Sequence, residues 1–93
     1  MFAQLSIHHP KPDATGMLIE SMHAYGDALD GAPGLISVHT FQDKKAGVLV
    51  GLALWASEDL MKASVHLARA AVEDHPFDTW EERESEGYLL TDV

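Results

Sequence analysis

The stretch Val48-Leu49-Val50-Gly51-Leu52-Ala53-Leu54-Trp55 constrains this chain more than any other. Strand side chains alternate between two faces. Val48, Val50, Leu52 and Leu54 make one face, and Leu49, Gly51, Ala53 and Trp55 make the other. Both are apolar, so a strand here needs cover on both sides. Each large aliphatic side chain taken out of water contributes about 1.5–3 kcal/mol, which makes a wet face costly. A chain of 93 residues has room for one core, and residues 1–93 read as one domain.

The surrounding segments say what can supply the cover. Phe2 to His9 alternates Ala3, Leu5 and Ile7 with Gln4, Ser6 and His8, a strand pattern. Asp13 to Leu29 carries Leu18, Met22, Tyr25 and Leu29 at helical spacing, with Asp13 or Thr15 expected as its cap. Leu35 to Gln42 reads as a second strand with Ile36, Val38 and Thr40 on one side. The short turn Asp43 to Gly47 then demands an antiparallel hairpin with Val48 to Trp55. Ser57 should cap a second helix, with Glu58 and Asp59 suited to its first-turn dipole. On that helix Leu60, Ser64, Leu67 and Ala71 share one face, flanked by Met61, Val65, Ala68 and Val72. It should stop before Pro76. Asp78 with Glu81 has the spacing of a capping box for a short helix, and a last strand is expected from about Arg83 to Thr91.

The order is β-α-β-β-α-β, the ferredoxin-like α+β plan with an antiparallel sheet. Both helices of that plan lie on one side of the sheet. The other side of the apolar strand needs a second copy, so the expectation is a homodimer with sheets face to face.

Charge narrows the partners. Fifteen acids against six bases give a formal charge of −9, and the bases are scattered. Such a chain repels phosphate backbones and anionic lipid, so neither nucleic acid nor membrane is an expected partner. The longest apolar run, Val48 to Ala56, is too short to span a bilayer. Met1 to Ile7 lacks the basic start of a leader, and there is no cysteine; a cytoplasmic setting is expected.

Two segments carry a family resemblance. Val50-Gly51-Leu52-Ala53-Leu54-Trp55-Ala56-Ser57-Glu58-Asp59-Leu60 is a strand ending in Trp, then a small polar cap, acids and a helix. Ala32-Pro33-Gly34-Leu35 is an x-Pro-Gly-aliphatic link into the second strand. Together with the element order, these resemble the dimeric α+β barrel superfamily and its antibiotic-biosynthesis-monooxygenase-like group. The resemblance spans nearly the whole chain. It implies cofactor-free oxidation of phenolic or quinol-like substrates, or oxidative haem degradation, in a cavity between helices and sheet. Trp55 matches a pocket residue of that group. Gly51 stands where the phenol-oxidising members carry Asn, Met61 where they carry a helix Tyr, and His75 near their Arg. Ser64 stands where the haem degraders carry Trp, and His75 lies within one residue of their His.

The residues themselves suggest a binding set of Trp55, Tyr25, Gly51 and Met61. Gly51 and Ala53 leave room beside the Trp55 ring for a flat ligand, and a buried Tyr25 hydroxyl would need a partner. His75 and His66 are the candidate bases, His75 at a helix C-terminus and His66 beside the apolar stripe. His8 and His9 point to opposite faces and cannot chelate one metal together; no HxxxH or HExxH spacing occurs, so no metal is expected. The run Glu81, Glu82, Glu84 and Glu86 reads as a solvated face. The expected function is a cofactor-independent monooxygenase acting on an aromatic or quinol-like small molecule. The alternatives are a non-catalytic dimeric module binding an apolar ligand or a partner, and a haem-binding protein with His75 or His66 as axial ligand.

Overall fold

A computed structural model describes all 93 residues. The elements are β1 (Phe2–His8), α1 (Thr15–Ala28), β2 (Leu35–Asp43), β3 (Val48–Trp55), α2 (Glu58–Val72), the single turn α3 (Phe77–Trp80) and β4 (Glu86–Thr91). The sheet is antiparallel throughout, in the order β2-β3-β1-β4. This is the ferredoxin-like β-α-β-β-α-β arrangement, with α3 added between α2 and β4. No helix is long and apolar enough to cross a membrane.

Register splits the sheet into two unlike faces. Leu49, Ala53 and Trp55 turn toward the helices and are buried. Trp55, Ala53 and Phe2 pack with Leu29 at the end of α1 and with Met61, Val65 and Ala68 of α2. Leu49 packs with Leu18 and Met22 of α1. The other face has no element over it. Across it run the rows Ser37-Leu54-Ala3-Leu90, His39-Leu52-Leu5-Tyr88 and Phe41-Val50-Ile7-Glu86.

The hairpin and the second cap form as their chemistry requires. Asp43 Oδ1 accepts the backbone N–H groups of Lys45 and Ala46, at 3.0 Å each. Ser57 Oγ accepts from Leu60 N at 3.3 Å. Five local expectations need correction. Helix α1 starts behind Ala14 with no side-chain cap, so neither Asp13 nor Thr15 serves. A register shift between Leu35 and Ser37 ejects Ile36, which is 57% exposed, from the row of Val38 and Thr40. The buried stripe of α2 is Met61, Ser64, Val65, Ala68 and Val72, while Leu67 faces out. The Asp78–Glu81 capping box does not form: α3 starts behind Pro76 with no side-chain cap, and Glu81 turns onto β1. The last strand begins at Glu86, later than the expected Arg83.

Candidate functional site

Beneath α1 and α2 lies a cavity of about 500 Å³. Its floor is explained by one row of the sheet. Thr40, Gly51, Ser6 and Gly87 are register partners across the four strands, so glycines flank Ser6 on both sides. A Cβ at Gly51 would lie 2.7 Å from Ser6 Oγ and 3.3 Å from Met22 Cε. Ser6 Oγ and Met22 Cε thus occupy the place over Gly51, and the floor is low on the Gly87 side, where nothing lies within 4 Å of the place a Cβ would take. Ser21, Met22 and Tyr25 of α1 form one wall, and Arg69 and Val72 of α2 another. Phe77 and Glu81 close the end beside β1.

The polar row of β1 lies along this floor. Gln4, Ser6 and His8 all line the cavity, while Ala3, Leu5 and Ile7 look out from the uncovered face. Alternation alone would have placed the apolar row inside. Sequence reasoning missed Gln4, Ser6 and His8 for that reason. The available signal was the pair Gly51 and Gly87, opposite which a polar row finds space.

Two hydrogen-bonded chains organise the polar groups. In the first, Trp55 Nε1 donates to Gln4 Oε1 at 3.4 Å, and Gln4 Nε2 donates to the Tyr25 hydroxyl at 2.8 Å. Tyr25 thus accepts from Gln4 and keeps its own proton for the cavity. Burial pushes the Tyr25 pKa above its usual 10.0, while the Gln4 hydrogen bond and the Arg69 charge oppose that rise. Tyr25 is a neutral donor at physiological pH. In the second chain, His8 Nε2 lies 3.1 Å from Ser6 Oγ, and His8 Nδ1 lies 3.3 and 3.4 Å from the two Glu81 oxygens. Glu81 is only 9% exposed and also accepts from the His9 backbone N–H at 3.1 Å. It is not part of a solvated acidic face, because the segment after α3 is stitched to the end of β1. Lys11 N donates to Trp80 O and Glu82 N to His9 O, both at 2.8 Å.

The structure gathers the expected site residues only in part. Tyr25 and Gly51 line the cavity. Trp55 is fully buried and Met61 is 4% exposed; both belong to the core, because Leu29, Val65 and Ala68 close around them. The small neighbours of Trp55 make room for helix packing at Ala53 and for the cavity at Gly51, one row further on. Trp55 reaches the cavity only through Gln4. His66 is exposed on the outer side of α2 and does not line the cavity. His75 is half-buried, with Nδ1 2.6 Å from Ser21 Oγ and its ring tilted against Phe77 and Trp80. It ties α3 to α1 and is likewise absent from the lining. His8 and His9 do point apart, His9 pairing with Glu86 at 2.9 Å.

Comparison with known proteins places this arrangement in a recurrent fold. No family model matches the chain, and no curated protein matches it. Solved structures do. An antibiotic biosynthesis monooxygenase superposes with a TM-score of 0.79 at 14% identity, over 100% of this chain and 99% of that one. SnoaB from Streptomyces nogalater, a cofactor-independent oxygenase, superposes with a TM-score of 0.79 at 12% identity, over 98% of this chain and 91% of its own. A variant of MhuD carrying two manganese protoporphyrin IX molecules per active site superposes with a TM-score of 0.77 at 15% identity, over 100% and 95%. At these identities the likeness is one of fold, and it is the fold of the group that the Trp55 and Pro33-Gly34 segments resemble.

Proposed function

We propose that this chain is a cofactor-independent monooxygenase of a phenolic or quinol-like aromatic, bound in the cavity between helices and sheet. The observation that carries the reading is the cavity floor at Ser6, with polar groups along one line and apolar walls beside it. A cavity of about 500 Å³ suits a ligand of one to a few rings. Met22, Val38, Ala53 and Val72 offer apolar contact, and the Tyr25 hydroxyl offers a proton to a ring oxygen. Once deprotonated, such a substrate supplies electrons to O₂ itself, and the protein supplies a dry, shaped site and a base. SnoaB, which shares the fold, works without a cofactor. Neither His66 nor His75 lines the cavity, so the reading does not use them as bases.

The second copy belongs to the same proposal. The uncovered face carries Leu5, Ile7, Val50, Leu52, Leu54, Tyr88 and Leu90 and holds only Asp43 and Glu86 as acids, in a chain of charge −9. An apolar face of this extent on an acidic protein suits an identical face, giving a two-fold dimer. A chain without cysteine suits a reducing compartment such as the cytoplasm.

Oxygen consumption by purified protein against a panel of hydroquinones and anthrones tests the activity, with Gly51→Val beside the parent. Uptake should require the protein and fall at least about tenfold in the variant, whose added side chain occupies the floor above Ser6. Absence of uptake across the panel would leave a ligand-binding module as the better reading. A haem titration with no Soret shift would remove the porphyrin alternative.

A further inference from the structure

We infer that His8, held by Glu81, is the base of this cavity, and that it receives the proton of a bound phenol through the Ser6 hydroxyl. The inference rests on the phenolic reading above and names the group that reading lacks. A carboxylate against Nδ1 fixes the imidazole as the Nδ1–H tautomer. Nε2 is then an acceptor, and its neighbour at 3.1 Å is Ser6 Oγ, which donates to it. On the Gly87 side nothing lies within 4 Å of where a Cβ would stand, so Ser6 Oγ borders open space there. A phenol lying on that floor has the Ser6 oxygen within reach as an acceptor.

The step balances. The ligand O–H bond breaks and its electron pair stays on the ligand oxygen. The proton passes to Ser6 Oγ as the Ser6 proton passes to His8 Nε2. The imidazolium so formed is neutralised by Glu81, which is buried and fixed by the His9 backbone N–H. His8 and Ser6 act on the reacting proton; Glu81 is a positioning residue.

The order Ser-His-Glu also suits a nucleophile, but the surroundings do not. Strand β1 is central, paired with β3 on one edge and β4 on the other, so the main-chain N–H groups around Ser6 are engaged in the ladders. An oxyanion would lack the free backbone donors that acyl transfer uses. Proton transfer needs none.

The charged and titratable groups around His8 are few. Glu81 faces it from the segment after α3. His9 stands next in the chain and is occupied by Glu86 at 2.9 Å and Arg83 at 3.4 Å. Tyr25 of α1, Arg69 of α2, His39 of β2 and Tyr88 of β4 share the cavity, and β3 contributes no titratable side chain.

The test uses 4-nitrophenol, whose phenolate absorbs apart from its phenol, titrated against pH in the presence of the full chain. Bound nitrophenol should ionise with a constant about tenfold or more above that of the free compound, and His8→Gln and Glu81→Gln should return it to within about twofold of free. Nitrogen NMR of the wild-type imidazoles gives a second readout that needs no variant: His8 should show a protonated Nδ1 and an unprotonated Nε2. Binding with unshifted ionisation, or a His8 protonated at Nε2, overturns the base while leaving the oxygenase reading intact. A shifted ionisation without oxygen uptake on any aromatic supports the base and overturns the oxygenase. Failure of nitrophenol to bind at millimolar concentration overturns both.

Discussion

Trp55 and Tyr25 stand at the two ends of one hydrogen-bonded chain, and they call for different experiments. Removing the Trp55 side chain would open a void in the main core and cost about 3–5 kcal/mol, so an alanine variant reports on folding. Trp55→Phe keeps most of the volume and deletes only the N–H that orients Gln4. It should lower the denaturation midpoint modestly, by about 1 kcal/mol in stability, and weaken nitrophenol binding several-fold; urea unfolding and the same absorbance titration measure both. Tyr25 bears on pH. Its folded pKa lies above the unfolded value, so the native state holds the proton to higher pH. The stability this represents is intact below 10.0 and is lost as pH rises from there through the raised value. Between about pH 9 and about pH 11, the urea midpoint of the wild type should fall more than that of Tyr25→Phe. At this scale the sequence was half legible. Tyr25 and Gly51 could be picked because a hydroxyl in an apolar stripe and a gap in an apolar strand are both anomalies. His8 and Glu81 could not, since one sat in an ordinary alternation and the other in a run of acids. Their meeting is made by a loop closure across 73 positions.

At the scale of elements, the link from α1 into β2 is the sensitive joint. Gly34 has φ +83°, a left-handed conformation that side chains resist, and a Cβ there would run into the Leu60 side chain, with its Cβ at 2.8 Å. Its carbonyl accepts the Ala56 N–H at 2.7 Å, joining this link to the end of β3. Gly34→Ala should therefore destabilise by about 2 kcal/mol or more, read as a lower thermal midpoint. The element order and the β2–β3 hairpin were readable from period and turn residues. Ends and faces were less so. The bulge at Ile36 depends on how β2 bends around α1, and the choice of stripe on α2 depends on which side meets Trp55 and Leu29. Neither is a local property of the chain. The Asp78–Glu81 spacing only hinted at the single turn α3 and left the conformation of 77–83 open, and the acidic end of that turn serves β1 rather than its own backbone.

For the molecule as a whole, the decisive quantity is what becomes of the uncovered sheet face. Sedimentation of the wild type at micromolar concentration should give a dimer mass. Leu52 sits mid-row with Leu5 beside it, and Leu52→Asp should raise the dissociation constant at least about tenfold by burying a charge without a partner. A stable wild-type monomer would sink the dimer and leave this face to another occupant. The two-face demand was the most legible feature of the sequence, because β3 stated it in eight residues. The same alternation has a statistical consequence. Side chains that build the chamber and side chains that build the contact come from the same strands but leave them in opposite directions. In the dimer proposed above, two copies joined back to back would hold their chambers on the outside, facing away from each other, with both sheets between. Each chamber would then fill as though its twin were absent. Occupancies should follow binomial proportions, and on the proposed role of His8 a mixed pair of intact and His8→Gln chains should work at half strength.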